Sequence, residues 1–339
     1  MERKYYVGAD LHKDQTWFYV MDSEGKKVIS RSIGNENENL EKFFMKVPKP
    51  FDIGVEATYN WYFFVDIAEK YAEKVRLANS SELKAFAKRH KKSDKIDAQL
   101  IANLLRRGDL PEVYIPPKAI RDIREILRYR MSIVRERTEN ISRLKALLAR
   151  NGLPSEGNYT TYKGLKEIRR SGKELLDAVI EGYINKILEL TKIKTKITKV
   201  IEEIAEGDED IRNLRTIPGI DTYSATLIKS EIGEIERFKS FEKLKAYAGL
   251  ISQTWQSSKR TIYGPLNKNR NKYIQWILIE IVQHFINSDE ERKRKFERIK
   301  RKKNYNIAKI SLAKDLLLII YKVMKEKRVY YERKEEYVA

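Results

Sequence analysis

The sequence predicts a mixed α/β domain at the N-terminus, long coiled-coil helices in the middle, and a mostly helical C-terminal domain. Three observations carry this. Residues 1–112 alternate aromatic and β-branched runs with amphipathic stretches. Residues 119–150 repeat apolar side chains at a seven-residue step. The remainder reads as helices separated by acidic and Pro-Gly turns. The expected boundaries are 1–112, 113–207 and 208–339.

The first three strands are expected over 4–11 ("KYYVGADL"), 16–22 ("TWFYVMD") and 27–33 ("KVISRSI"), with "SEGK" at 23–26 as a turn. "FDIGVEAT" at 51–58 reads as a fourth strand and "VRLAN" at 75–79 as a fifth. A helical stretch separates them at about 60–73, and two more cover roughly 80–107. A meander followed by alternating strands and helices indicates a mixed α/β layer. This is the element order of a ribonuclease-H-like fold.

In the middle, Ile120, Leu127, Val134, Ile141 and Leu148 form one stripe, with Ile123, Met131 and Leu144 on a second seam. Arginines crowd between them. "NGLPSEG" at 151–157 ends that helix, and a second runs from about 172 to 205. The pair forms either an antiparallel hairpin or an intermolecular coiled coil. "LRTIPGIDTYSATLIKSEIG" at 214–233 resembles a helix–hairpin–helix, whose turn at Gly219 offers N–H groups to a phosphate. The chain then becomes basic and helical at 291–303 and 306–327, where "LLLII" at 316–320 reads as a buried segment.

The chain has 339 residues, 69 Lys and Arg against 49 Asp and Glu, and a formal charge of +20. Such an excess steers a protein toward polyanions, nucleic acid above all. No secretory leader and no membrane-length apolar run is read, which with the absence of cysteine fits a cytoplasmic protein without membrane partners. Without cysteine and with three histidines, a metal would be a hard cation on carboxylates.

The acids have a pattern that suits this. Asp10 ends the first strand beside Gly8, and Glu56 ends the fourth. In a ribonuclease-H-like sheet those strands are neighbours. Asp94 and Asp97 share a helix face at i, i+3 spacing. Four carboxylates suit one or two Mg²⁺ ions, which take remaining ligands from phosphates. Each acid also has a structural reading: Asp94 near a helix start supports the cap and dipole, and Asp97 pairs with a lysine.

These motifs resemble the insertion-sequence one-ten family of transposases, relatives of Piv-type DNA invertases. The N-terminal resemblance lies in "VGADLHKD" (7–14), "GVEATYNW" (54–61) and "KKSDKIDAQLIANLL" (91–105). The C-terminal resemblance lies in 214–250, "SSKRTIYGPLNKNRNKYI" (257–274) and "AKISLAKDLLLIIYKV" (308–323). It implies a RuvC-like DEDD quartet of Asp10, Glu56, Asp94 and Asp97 on Mg²⁺. It also implies a serine nucleophile that forms a covalent phosphoserine link to DNA. Donor and target DNA would be chosen by a structured bridge RNA, and both domains would come together in a dimer or tetramer. Counting back from Gly264 places Ser257 at the nucleophile position, with Ser258 as runner-up; Lys259 and Arg260 would steady the phosphate. Ser252, Arg270 and Gln275 depart from the family pattern around that loop.

His12 and His90 lie near the acids in sequence, but the expected site does not need them. Trp61 is read as core, with base stacking as the alternative. Arg124, Arg128 and Arg135 are expected either to track phosphates or to form a solvated face. The rival activities are a RuvC-like nuclease using metal-activated water and a non-catalytic nucleic-acid-binding protein of the same fold.

Overall fold

The computed structural model describes residues 4–86, 93–168, 170–257 and 260–330, with the backbone alone over the described part of 253–263. The chain divides into two compact units, Met1–Lys118 and Ala119–Ala339. Among the described residues no helix is long and apolar enough to cross a membrane.

In the first unit, β1 (Tyr5–Leu11), β2 (Gln15–Met21) and β3 (Lys27–Gly34) form an antiparallel meander. After α1 (Asn37–Lys46), β4 (Phe51–Glu56) returns parallel to β1. After α2 (Trp61–Ala68), β5 (Lys74–Ala78) pairs parallel to β4. The helices α3 (Ser80–Phe86) and α4 (Asp94–Arg107) follow, and β6 (Glu112–Val113) closes the sheet antiparallel to β5. The six-stranded order is β3-β2-β1-β4-β5-β6, so the first and fourth strands are neighbours as expected.

Strand period sorts the side chains. Val7, Ala9, Leu11, Phe18 and Val20 join a core that includes Phe43, Phe44 and Phe64 from α1 and α2. The alternate residues Tyr6, Tyr19 and Met21 face Ala98 and Ala102 of α4. Helices therefore cover both faces of the sheet. Trp61 is half-buried against the first core, in line with the packing reading.

The second unit begins with α5 (Lys118–Arg150), α6 (Tyr162–Lys166) and α7 (Glu174–Ala205). Leu144 and Leu148 of α5 pack with Ile180, Ile184 and Ile187 of α7. Arg137 meets Thr191 at 2.8 Å and Arg130 meets Thr198 at 3.0 Å, so the helices run antiparallel within one chain. The heptad stripe is used inside the molecule. This hairpin does not stand as a separate segment over 113–207: Leu127, Ile201 and Ala205 belong to the core of the second unit.

That core is built by α8 (Glu209–Arg215), α9 (Thr222–Ile232), α10 (Phe241–Tyr247), α11 (Lys272–Asn287), α12 (Glu290–Lys302) and α13 (Tyr305–Glu326). Leu316, Leu317 and Ile320 are fully buried, as expected of the apolar segment of α13. A two-stranded hairpin, β7 (Ser252–Ser257) and β8 (Arg260–Leu266), sits between α10 and α11. The sequence reads as a loop there, because β7 is mostly polar and β8 contains Gly264 and Pro265.

Candidate metal centre and serine hairpin

The metal-centre geometry starts with two glycines. Gly8 of β1 is in register with Gly54 of β4. A Cβ at Gly8 would lie 2.0 Å from the Ala98 carbonyl oxygen, and one at Gly54 would lie 2.9 Å from Ile101 Cγ2. Without those side chains α4 seats directly on the sheet. Its buried stripe is Ala98, Ile101, Ala102 and Leu105. One turn earlier on the same stripe are Asp97 and Asp94. Ser93 caps the helix and accepts a bond from Ile96 N, so Asp94 and Asp97 are free of the capping role and lie in the positive first turn.

Asp10 and Glu56 follow the last register pair, Ala9 with Val55, at the C-terminal ends of two parallel strands. Asp10 is 7% exposed. His12 Nε2 lies 3.1 Å from Asp10 Oδ2 and 3.5 Å from Asp94 Oδ1. One ligand atom from each of Asp10, His12 and Asp94 falls within 4.8 Å of the others. Two carboxylates and an imidazole at that spacing fit a divalent cation. Asp97 and Glu56 fall outside this tight group among the described residues.

Burial raises the Asp10 carboxyl to about 6; the His12 ring opposes the rise, while the charges of Asp97 and Asp94 add to it. Asp97 is thus electrostatically part of the cluster. A half-solvated, mutually repelling set of acids is what a cation would relieve.

His12 is the residue that the sequence alone did not bring into the site. Its position two residues after Asp10 returns it to the same side, and the loop is tied down around it. Asn35 Nδ2 donates to the His12 carbonyl at 2.9 Å and Asn60 Nδ2 donates to it at 2.8 Å. The period-two spacing was the available signal. The clamp by Asn35 and Asn60 was not visible. His90 lies outside the described residues.

In the second unit, Ser257 closes β7 and pairs with Arg260, the first residue of β8. Ser258 and Lys259 lie outside the described residues, as do the side chains of Ser257 and Arg260. The base of the hairpin is held by its neighbours. Gly249 has φ +67°, and a Cβ there would meet Arg270 Cδ at 2.2 Å. Gln275 Nε2 donates to the Gly249 carbonyl at 2.7 Å, and Arg270 donates to the Asn267 carbonyl at 2.9 Å. Arg270 and Gln275 therefore fasten the hairpin's base.

The arginines divide. Arg124 is buried and donates to the carbonyls of Ser230 and Glu231 at 2.8 and 3.0 Å, at the C-terminal end of α9. Arg128 grips the fully buried Glu231 carboxylate with two bonds of 2.8 and 3.0 Å and stacks over Tyr273. Asn271 Nδ2 also donates to Glu231 at 2.8 Å. These contacts correct the expectation that Arg124 and Arg128 follow phosphates or lie on a solvated face: an interior carboxylate and helix end occupy them. Arg135 is exposed. Gly219 is exposed at φ +89°, and a Cβ there would lie 2.9 Å from His284 Cβ. Its turn needs glycine for conformation and for close approach to α11.

Comparison with known proteins agrees with this layout. Residues 7–151 match a family of DEDD transposases of the IS110 type, described as "Transposase". Residues 211–297 match one described as "Transposase IS116/IS110/IS902 family". The chain is 22% identical over 334 residues to the transposase for insertion sequence element IS1111A of Coxiella burnetii, covering 96% of this chain and 90% of that one. It is 20% identical over 290 residues to the transposase for insertion sequence element IS1328 of Yersinia enterocolitica, covering 83% of each. With the transposase for insertion sequence element IS1533 of Leptospira borgpetersenii it shares 24% over 249 residues, 70% of this chain and 72% of the relative. With both halves matched in order, the chain belongs to the IS110 family of transposases.

Proposed function

We propose that the protein cleaves and rejoins DNA through a serine nucleophile and a divalent cation, under the direction of a guide RNA. The observation that carries the cation in this reading is the convergence of Asp10, His12 and Asp94 at the ends of β1 and α4, and the family match supports DNA as the substrate. The strand order β3-β2-β1-β4-β5 supports a RuvC-like assignment for the first unit.

Asp10, Asp94 and His12 would hold the cation, with Asp97 and Glu56 completing the negative field around it. Bound there, Mg²⁺ supplies charge neutralisation to the oxygens of the scissile phosphate. Ser257 is the proposed nucleophile and Ser258 its alternative. Its Oγ loses a proton and forms a bond to phosphorus, the P–O bond to one neighbouring sugar breaks, and the departing oxygen takes up a proton. The phosphoserine conserves the phosphodiester for rejoining. Lys259, Arg260 and the Gly219 turn would steady DNA phosphates, and Arg135 would add to a backbone-tracking surface. The bridge RNA would select donor and target DNA by base pairing, with the protein acting as a dimer or tetramer in the cytoplasm.

Covalent trapping tests this. Protein, Mg²⁺, guide RNA and cognate DNA should give a DNA adduct that survives denaturation and disappears in Ser257→Ala, or in Ser258→Ala if that hydroxyl attacks. Cleavage without any adduct would instead assign hydrolysis by activated water. Transposition that persists in Asp10→Ala and Glu56→Ala would assign a non-catalytic binding role.

A further inference from the structure

The helix α13 has two stripes. One, through Ala308, Leu312, Ala313 and Leu316, is buried in the core of the second unit. The other, through Ile307, Ile310, Ser311 and Lys314, lines a cleft of about 700 Å³. Ile299, Lys302 and Lys303 from the end of α12 form another wall, and Gly264, Pro265 and Leu266 of β8 form the third. The cleft therefore abuts the base of the hairpin that carries Ser257.

Its chemistry is two-sided. Ile307 is 48% exposed although it follows helical apolar spacing, and Ile299 and Ile310 are half-buried beside it. The rim is cationic. Lys302, Lys303 and Lys314 have no carboxylate partner among the described residues. The nearby acids are already engaged: Asp315 with Lys295 at 2.6 Å and Glu242 with Lys245 at 2.7 Å. Burial holds Lys314 below the usual lysine range and the charge of Lys245 adds to this, while Glu242 and Asp315 offset it only in part. An anion on the rim would favour the charged lysine against both.

We propose that this cleft holds an unpaired DNA strand, with Lys302, Lys303 and Lys314 on its phosphates and Ile299, Ile307 and Ile310 under its bases. A duplex presents sugar and phosphate to its surroundings and has no base faces to set on an aliphatic floor. A separated strand offers both a charged backbone and flat apolar faces. The family match to transposases makes DNA the strand expected here, and RNA is one outcome of the test. The proposal concerns binding and goes beyond the serine chemistry: it stands whether or not Ser257 attacks.

The test is fluorescence anisotropy with the full chain in EDTA, using a labelled thymidine 20-mer, a uridine 20-mer and a duplex of equal length. For Lys302→Ala/Lys303→Ala/Lys314→Ala, affinity for the thymidine strand should fall about 10- to 100-fold, and the slope of log K against log salt should shrink by about 2, at roughly 0.7 per lost contact. Affinity for the duplex should change less than about threefold. Ile307→Glu, at an exposed position that folding tolerates, should also weaken the thymidine strand selectively. Unchanged affinity, equal losses on strand and duplex, or tighter binding of uridine than thymidine in the parent would each overturn the proposal.

Discussion

Gly8 on β1 and Gly54 on β4 stand side by side in register, and α4 rests on both. The pair removes the pleat's side-chain bulk at one point on the sheet. That lets the helix carry Asp94 to within 3.5 Å of His12, which itself touches Asp10. The cluster thus depends on the two residues that contribute no side chain.

The two glycines should differ in tolerance. Gly8→Ala would press Cβ against the Ala98 carbonyl at 2.0 Å, a backbone obstacle that yields only if α4 moves. Gly54→Ala meets the Ile101 Cγ2 methyl at 2.9 Å, a much shallower overlap; Ile101 is β-branched and held in its helical rotamer, so a shift of a few tenths of an ångström at α4 must relieve it. Thermal or urea unfolding should give a loss of about 3 kcal/mol or more for Gly8→Ala and about 1 kcal/mol for Gly54→Ala. Gly8→Ala should also weaken divalent-cation binding, because Asp94 moves with the helix.

Asp10 should cost the metal-free protein stability. Folding raises its carboxyl from 3.8 to about 6, so the folded state holds the proton more tightly than the unfolded chain. The penalty is therefore absent below pH about 4, grows as pH rises to about 6, and is constant above. Its upper bound is about 3 kcal/mol, since a tenfold change in proton affinity is worth about 1.4 kcal/mol. Asp10→Asn should stabilise the metal-free protein by about 1–3 kcal/mol at pH 7.5 and have little effect at pH 4. Mg²⁺ should raise the melting temperature of the parent and leave that of Asp10→Asn unchanged.

Much of this was legible in the sequence. The alternation in "YYVGADL" placed Asp10 opposite the core residues Ala9 and Leu11, and the seven-residue stripe through Leu127 and Leu148 gave the long α5. What escaped depended on distant partners. Arg128 looks like any surface arginine until Glu231, 103 residues away, is brought beneath it. His12 looks incidental until Asn35 and Asn60 fold its loop over the acids. The β7–β8 hairpin escaped because β7 is mostly polar and β8 is interrupted by Gly264 and Pro265, which gives a weak strand signal. The helix α1 was passed over for a similar reason: its first turn, starting at Asn37, is polar.

His12 should tune which metal is preferred. Imidazole favours late first-row ions, whereas Mg²⁺ favours oxygen. In calorimetric titrations His12→Ala should weaken Co²⁺ binding about tenfold or more and Mg²⁺ binding less than about threefold. Equal losses for both ions would make His12 a part of the loop's architecture and not a ligand. Asn60→Ala, which frees the loop without removing the ring, should show a smaller loss with the same preference for Mg²⁺.

The arginines of α5 should separate into interior and surface roles. Glu231 is fully buried and receives both bonds of Arg128, while Arg124 lies 3.6 Å from it with its donors on the end of α9. Glu231→Ala leaves two guanidinium groups without their carboxylate in the interior. It should destabilise the protein by about 3–5 kcal/mol, the usual loss when one member of a buried ion pair is removed. Glu231→Gln keeps the shape and part of the hydrogen bonding, so about 1–3 kcal/mol is expected. Arg135, exposed on the same helix, should behave in the opposite way. Arg135→Ala should leave the unfolding midpoint within about 0.5 kcal/mol of the parent and lower the salt slope of duplex DNA binding by about 0.9. A salt slope that stays put would remove Arg135 from the nucleic-acid surface. An Arg128→Ala chain with parental stability but a reduced salt slope would mean that Arg128 serves DNA after all, against its grip on Glu231.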